Sequence, residues 1–176
     1  MAWSGGRWLH GWALTELGDV ERGVAKMEAG LAGFVPIGGV PRQAFTAAML
    51  AKGYEKLGRI DQAIAMLDDQ RVRIERSGER LDEAELYRVK GELLYARDGA
   101  GGSEGESCLR KAIEIARRQE SRWWELRATM SLARLLDKGR RNEARTMLAE
   151  IYGWFTEGFD TADLKDAKAL LDELAN

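Results

Sequence analysis

The stretch QAFTAAMLAKGYEKLGRIDQAIAML, residues 43–67, decides the fold. Its apolar side chains recur at helical spacing on both sides of Gly58-Arg59, a pair that interrupts the pattern. These side chains are Phe45, Met49, Tyr54 and Leu57 before the pair, and Ile60, Ala63, Ile64 and Leu67 after it. The stretch therefore predicts two helices that meet at a tight turn.

Similar interruptions recur along the chain at spacings of 40, 40 and 41 residues. They are Gly18-Asp19, Gly58-Arg59, Asp98-Gly99 and Gly139-Arg140. Such regular spacing over 176 residues is typical of helical hairpins that stack on one another. We therefore predict an all-α, right-handed solenoid in a single domain over residues 1–176. Its four hairpins are expected at about residues 3–33, 41–77, 80–120 and 122–154.

A capping helix is predicted at the C-terminal end. A solenoid exposes the apolar face of its last hairpin unless a polar cap covers it. After Asp160-Thr161, one apolar stripe at helical spacing is formed by Leu164, Ala167, Leu170, Leu171 and Leu174. Charged residues fall on the other side of the same pattern. A single amphipathic helix over residues 161–175 is therefore expected to close the stack.

Small residues are expected where the two helices of each hairpin approach each other. Gly23, Ala63, Gly105 and Ala144 occupy the same position in each second helix. A larger side chain there would push the two backbones apart. We therefore expect these positions to tolerate leucine badly.

Two local patterns predict where helices begin and end. Both prolines, Pro36 and Pro41, fall within residues 34–41, which predicts a loop between the first two hairpins. Ser103 and Glu106 have the spacing of a capping box, in which each side chain accepts a backbone N–H at a helix start. A helix is therefore expected to begin at Ser103.

The composition excludes several classes of partner. The 27 basic and 29 acidic residues leave a formal net charge of −2, so neither nucleic acid nor a membrane surface is an expected partner. No apolar run reaches the roughly 20 residues that span a bilayer, and the N-terminus lacks a secretory signal pattern. Cys108 is the only cysteine, which excludes an internal disulfide. A soluble protein of the reducing cytoplasm is therefore expected.

The sequence contains no catalytic, metal-binding or cofactor-binding constellation. His10 is the only histidine, and Cys108 lies in a different hairpin. Metal sites and activated nucleophiles need several such groups close together. We therefore predict no catalytic residue, no metal and no cofactor, and a chain that is not itself an enzyme.

The hairpins resemble the tetratricopeptide repeat (TPR), whose pattern is W-x2-L-G-x2-Y followed by A-x3-F. At these positions the third hairpin has Tyr87, Lys90, Gly91, Leu94, Gly105 and Leu109. The resemblance extends from about Trp3 to Trp154, with degenerate motifs and a period longer than the usual 34 residues. It implies an array of TPR-like hairpins with lengthened helices.

A closer resemblance covers most of the chain. The segments that carry it are ELYRVKGELL (85–94), AIEIARRQ (112–119), WELRA (124–128) and YGWFTEGFDT (152–161). They look like the C-terminal repeats of bacterial multidomain proteins. Those proteins join a class III adenylate cyclase domain or a DNA-binding domain to a signal-transducing ATPase module. The resemblance implies a sensor or scaffold region, with any catalytic residues in other domains.

A peptide-binding groove is the main candidate site. In TPR arrays the first helix of each hairpin lines the inner groove, which implies a groove formed here by Trp8, Trp12, Lys52, Lys56, Arg88, Glu92 and Tyr95. The rings would supply contact area, and the cations would bind carboxylates of an extended peptide. Alternatively, the charged residues only keep the surface soluble and the aromatic residues only fill the core.

The other aromatic residues cluster in three places. Trp3, Trp8 and Trp12 lie close together near the N-terminus, and an exposed apolar cluster needs something to cover it. Upstream repeats or domains, a homodimer contact, or burial within the first hairpin would each do so. For the pairs Trp123-Trp124 and Trp154-Phe155 we expect core packing, with one member inward and the other nearer solvent.

Three hypotheses for function follow. The first is a regulatory or scaffold module that binds a protein or peptide. The second is the sensory C-terminal tail of a cyclase, an ATPase or a transcription regulator, which controls an enzyme domain in the same polypeptide. The third, a small-molecule effector bound between hairpins, requires a closed and partly polar pocket.

Overall fold

A computed structural model describes residues 4–32, 43–99 and 102–175. These ranges contain nine helices and no strand, which confirms the predicted all-α class. The helices are α1 (Ser4–Glu16), α2 (Val20–Ala32), α3 (Gln43–Lys56), α4 (Ile60–Ser77), α5 (Glu83–Asp98), α6 (Ser103–Arg118), α7 (Arg122–Leu136), α8 (Arg141–Tyr152) and α9 (Ala162–Ala175). Trp3 and the loop predicted at residues 34–41 lie outside the described residues.

The chain divides into two compact units, Met1–Val89 and Lys90–Asn176. The first contains α1 to α4 and the beginning of α5, and the second contains the remainder of α5 and α6 to α9. A single domain over residues 1–176 stays a prediction.

Left-handed glycines end the first helices of the first two hairpins. Gly18 has a φ of 95° and Gly58 a φ of 72°, a conformation that is costly for residues with a side chain. After each glycine the chain reverses, and the next N–H donates back into the finished helix: Asp19 to the Leu14 carbonyl at 3.0 Å, and Arg59 to the Tyr54 carbonyl at 2.9 Å. These two glycine-containing dipeptides therefore act as the helix stops that the sequence predicts.

The small residues of the second helices lie at close backbone contacts. A Cβ atom added to Gly23 would overlap Thr15 Oγ1 and would lie 2.7 Å from the Gly11 carbonyl oxygen. One added to Gly105 would lie 3.0 Å from the Gly91 carbonyl oxygen. The equivalent alanines, Ala63 and Ala144, are fully buried. The predicted close approach of paired helices is thus confirmed.

The capping box predicted at the start of α6 is wrong. The helix does begin at Ser103, but its N-cap residue is Gly102, which has no side chain to accept a hydrogen bond. The Glu106 carboxylate instead accepts hydrogen bonds from Arg110 Nε, at 2.9 Å, and from Arg140. The hydrogen bond from Arg140 is the main cause of the lowered pKa of Glu106. Bonds to a guanidinium are stronger than a bond to a neutral amide, so the carboxylate turns away from the helix start.

The C-terminal helix α9 is amphipathic, as expected. Leu164, Ala167, Leu170 and Leu174 are buried, and Lys165, Asp166, Lys168, Asp172 and Glu173 are exposed. The helix packs against α8 and α7 within the second unit. Its buried stripe covers apolar surface of that unit while its charged side remains in water.

Within residues 4–32, 43–99 and 102–175, no helix is both long and apolar enough to cross a membrane. The cytoplasmic location stays a prediction.

Candidate protein-interaction surfaces

The predicted groove residues fall in both units, and each unit holds its own set. Trp8, Trp12, Lys52, Lys56 and Arg88 belong to the first unit, and Glu92 and Tyr95 belong to the second. The surroundings of these seven side chains differ widely.

Trp8 is a core residue of the first hairpin. Only 7% of it is exposed, and its backbone packs so closely on α2 that a Cβ atom added to Gly30 would lie 2.9 Å from Trp8 Cβ. Its indole Nε1 is the one buried side-chain nitrogen or oxygen without a hydrogen-bond partner among the described residues. Of the alternatives for the N-terminal aromatic residues, burial within the hairpin therefore applies to Trp8.

Trp12 belongs to an exposed apolar face of α1. Leu9 is 53% exposed, Trp12 is 38% exposed and Leu17 is 83% exposed, and Ala13 lies between them in the exposed class. Leu9, Ala13 and Leu17 are four residues apart, and the Leu17 N–H, just beyond the end of α1, donates to the Ala13 carbonyl at 3.0 Å, so the three side chains follow one side of the helix. We call these four residues the α1 face.

The position on α3 that is equivalent to Ala13 packs against the preceding hairpin. Gly53 follows Ala13 by 40 residues, the spacing of the repeat. A Cβ atom added to Gly53 would lie 2.8 Å from Val24 Cγ2 and 3.1 Å from Met27 Cε, both on α2. The α1 face thus corresponds to the side of α3 that packs on the preceding hairpin.

The two predicted lysines already have partners within the first unit. Lys56 Nζ donates to Glu16 Oε1 at 3.0 Å and to the Thr15 carbonyl at 3.3 Å, so it ties α3 to the end of α1. Lys52 Nζ lies 2.5 Å from Glu55 Oε2 one turn along its own helix. Both amines remain partly exposed, and ion pairs of this kind contribute little to stability and exchange readily with other anions.

Arg88 lies in a buried ion pair. Its Nε and Nη2 atoms donate to the two carboxylate oxygens of Glu85, each at 2.7 Å. Glu85 is almost completely buried, and Arg88 is buried as well. The guanidinium therefore satisfies an internal carboxylate, and this geometry holds the side chain in place.

In the second unit, Glu92 and Tyr95 contact α7 and the turn that follows it. Glu92 Oε1 accepts a hydrogen bond from Ser131 Oγ at 2.6 Å. Lys138 Nζ lies 5.8 Å from the centre of the Tyr95 ring, which is within cation–π range. Both side chains are half-buried.

An exposed group of aromatic rings in the second unit is larger than the sequence predicts. Trp123 is 38% exposed and Trp154 is 57% exposed, and both pack edge-on against Phe155. The ring centres are 6.1 Å apart for Trp123 and Phe155, and 5.3 Å apart for Trp154 and Phe155. We call Trp123, Trp154 and Phe155 the aromatic patch. As expected for adjacent residues, Phe155 is more buried than Trp154.

An arginine pair lies beside the aromatic patch. The Arg122 guanidinium lies 5.6 Å from the centre of the Trp154 ring. Arg122 Nη1 and Arg117 Nε donate to the two oxygens of Glu125, at 2.7 and 2.6 Å. Glu125 is buried, whereas both arginines are partly exposed. Two cations thus share one anion.

A cavity of about 330 Å³ lies between the start of α6 and the turn from α7 to α8. Ser103, Glu106, Lys138 and Arg140 are among its lining residues. Glu106 and Arg140 are hydrogen-bonded to each other, and Lys138 lies over Tyr95. The charged lining residues therefore already have partners within the chain. Such a lining is typical of an ion-pair network and not of a ligand site.

In the part of the chain that the structure describes, no group of three or more histidine, cysteine, aspartate or glutamate side chains is placed to hold a metal ion.

Comparison with solved structures identifies the fold. A kinesin light chain-like protein of Podosopora anserina with nearly identical TPR-like repeats matches with a TM-score of 0.68 and 16% identity. A point variant of the same protein matches with a TM-score of 0.69 and 16% identity. Each match covers 96% of this chain and 83% of the other. The fold is TPR-like.

The TPR-like fold confirms the predicted α-solenoid class and the resemblance to tetratricopeptide repeats. No protein-family model and no curated protein matches this sequence. The closer resemblance to the C-terminal repeats of adenylate cyclase and ATPase regulators stays a prediction. TPR-like repeats generally mediate protein–protein interactions, because stacked hairpins create extended binding surfaces.

Proposed function

We propose that this chain is a protein-interaction module and has no catalysis of its own. The observation that carries the proposal is the α1 face, where Leu9, Trp12 and Leu17 are exposed in the register that α3 uses for stacking. Large apolar side chains grouped on one helix side mark a surface that another protein covers. The TPR-like fold supports the same function.

We also propose that the accessible residues of the predicted groove in the first unit, Trp12, Lys52 and Lys56, contribute to peptide binding. Lys52 and Lys56 are the accessible cations of the set, since Arg88 is buried against Glu85. A bound carboxylate would replace the weak ion pairs that these lysines make within the chain. Trp12 would add apolar contact area within the first unit.

Charge reversal at Lys52 tests this peptide site. The immobilised chain is exposed to extract from the source organism, and the bound proteins are quantified. We expect Lys52→Glu to reduce capture at least fivefold, with an unchanged far-UV circular dichroism spectrum. Lys111→Glu is the matched control, because Lys111 is a partly exposed lysine that also pairs with a glutamate three residues ahead. Equal capture by both variants would remove Lys52 from the proposed site.

The alternative function is a sensory tail that regulates an enzyme domain in the same polypeptide. The register of the α1 face favours it, since a preceding TPR-like hairpin of a longer protein would cover Leu9 and Leu17. An antibody against this segment, applied to extract of the source organism, would then detect a product much larger than 19.7 kDa. Deletion of these residues from that product would change its nucleotide turnover. A product near 19.7 kDa, or unchanged turnover, would contradict the alternative.

A further inference from the structure

The aromatic patch has more exposed ring surface than packing within the chain requires. Trp123 lies in the first turn of α7, and Trp154 and Phe155 follow the end of α8. More than half of Trp154 is exposed, although an indole is large and mostly apolar. Exposed tryptophans grouped with a partly exposed arginine are typical of the energetic centre of a binding site.

The rings are held in place before any partner arrives. Both indoles pack edge-on against Phe155, with interplanar angles of 77° for Trp123 and 86° for Trp154. Edge-to-face contacts are favourable and restrict rotation of the side chains. A partner that stacks on these indoles therefore loses less conformational entropy on binding.

Arg122, beside the patch, can bind an acidic group of a partner. Glu125 neutralises only one of the two guanidiniums that it contacts. Arg122 uses Nη1 for that bond, and an arginine side chain has five N–H donors, so further donors remain for a second carboxylate. Since this guanidinium lies over the Trp154 ring, a bound carboxylate would be adjacent to the exposed indole.

We propose that the aromatic patch and Arg122 bind an extended, proline-containing peptide segment that carries a carboxylate. Prolyl rings stack on aromatic side chains, and a polyproline II peptide is already extended, so little order is imposed on binding. One turn of such a peptide spans about 9 Å. The indole centres lie 6.1 and 5.3 Å from the centre of Phe155, so the two indoles are no farther apart than these distances together, which an extended segment of two turns spans. This surface is separate from the α1 face and Lys52, on which the proposed function rests.

Fluorescence anisotropy with a synthetic peptide tests the proposal. The probe is a fluorescein-labelled peptide of four Pro-Pro-Glu repeats, and the control peptides contain Lys in place of Glu, or Gly-Ser in place of Pro-Pro. We expect saturable binding of the acidic proline peptide and at least tenfold weaker binding of both controls. Trp154→Ala and Arg122→Gln should each weaken binding of the acidic peptide at least tenfold.

Leu81→Ala is the control variant, because Leu81 is an apolar residue that is 64% exposed and lies outside the aromatic patch, the α1 face and the predicted groove. It should bind the peptide with unchanged affinity, and far-UV circular dichroism should show that each variant is folded. Absence of binding, equal binding of the Gly-Ser peptide, or full affinity in Trp154→Ala would overturn the proposal. So would light scattering that detects a dimer which Trp154→Ala dissociates, since a second copy would then occupy the patch.

The peptide site at Lys52 and the aromatic patch can be tested independently of each other. Lys52→Glu should leave binding of the acidic proline peptide unchanged, and Trp154→Ala should leave the Lys52-dependent capture unchanged. Loss of peptide binding in Lys52→Glu would contradict the assignment of the peptide to the aromatic patch.

Discussion

Tyr54 is the residue whose hydroxyl ties α3 to α2. Its Oη donates to Glu28 Oε1 at 2.5 Å, and the ring is buried. Burial is the main cause that raises the pKa of Tyr54 to about 12, and the hydrogen bond to Glu28 adds to it. The folded state therefore keeps the phenol protonated at a pH where the unfolded chain begins to lose the proton.

Removal of this hydroxyl should weaken the first unit in a pH-dependent way. We expect Tyr54→Phe to lower the free energy of unfolding by about 1 kcal/mol at pH 8. Because the folded pKa is raised, the native protein should lose stability between about pH 10 and 12, and Tyr54→Phe should lose less. Urea unfolding at pH 8 and pH 11 measures both effects.

Tyr152→Phe is the control for this prediction, because the Tyr152 ring packs on Phe159, with the ring centres 5.8 Å apart. It should change the free energy of unfolding by less than about 0.5 kcal/mol at pH 8. An alkaline loss of equal size in Tyr54→Phe and the native protein would show that another group causes it.

At the scale of helices, the close contact of α1 with α2 depends on glycines, which have no side chain. Gly11 and Gly23 face each other, and an added Cβ atom at Gly23 would meet the Gly11 carbonyl oxygen and the Thr15 backbone nitrogen, both at 2.7 Å. Backbone atoms cannot rotate away as a side chain can. The two helices would therefore have to separate along their length.

Gly23→Ala should destabilise the first hairpin even though alanine favours helices. We expect a net loss of about 1 to 3 kcal/mol in the free energy of unfolding, because overpacking outweighs the gain in helix propensity of up to about 1 kcal/mol. Thermal and urea unfolding provide the measurement. Gly139→Ala is the control, since nothing lies within 4 Å of a Cβ atom there. A loss as large in Gly139→Ala would show that glycine replacement alone causes the effect.

Most helices could be predicted from the sequence because their signals are local. Apolar spacing around Gly58 and the stripe that begins at Leu164 depend only on neighbours within a few turns. The capping box failed because the competing partner of Glu106, Arg140, lies 34 residues away. Burial of Trp8 against Gly30 and of Arg88 against Glu85 likewise depends on how segments pack, which periodicity alone does not specify.

The exposed patch was underestimated for the same reason. Trp123 and Phe155 are 32 residues apart in the sequence, and their ring contact brings the start of α7 to the end of α8. Each pair of aromatic residues, taken alone, is most simply explained as core. Their meeting point at the surface follows from the hairpin geometry.

At the scale of the whole molecule, the chain has a TPR-like fold and exposes large apolar side chains in two places. Each described unit offers one: the α1 face in the first, and the aromatic patch in the second. The α1 face is the more direct evidence for a protein partner, since its register is the one that α3 buries against α2. Aspartate at Leu9 and Leu17 would place charges in that surface without disturbing the core, because both side chains already face solvent.

Quantitative capture of proteins from extract of the source organism, by the immobilised chain and by Leu9→Asp/Leu17→Asp, tests the central claim most directly. We predict at least one protein that the native chain enriches and the double variant loses at least tenfold. Leu81→Asp should retain it, because Leu81 is also exposed, at 64%, but lies outside the α1 face. Equal enrichment by the native chain and the double variant would contradict the account.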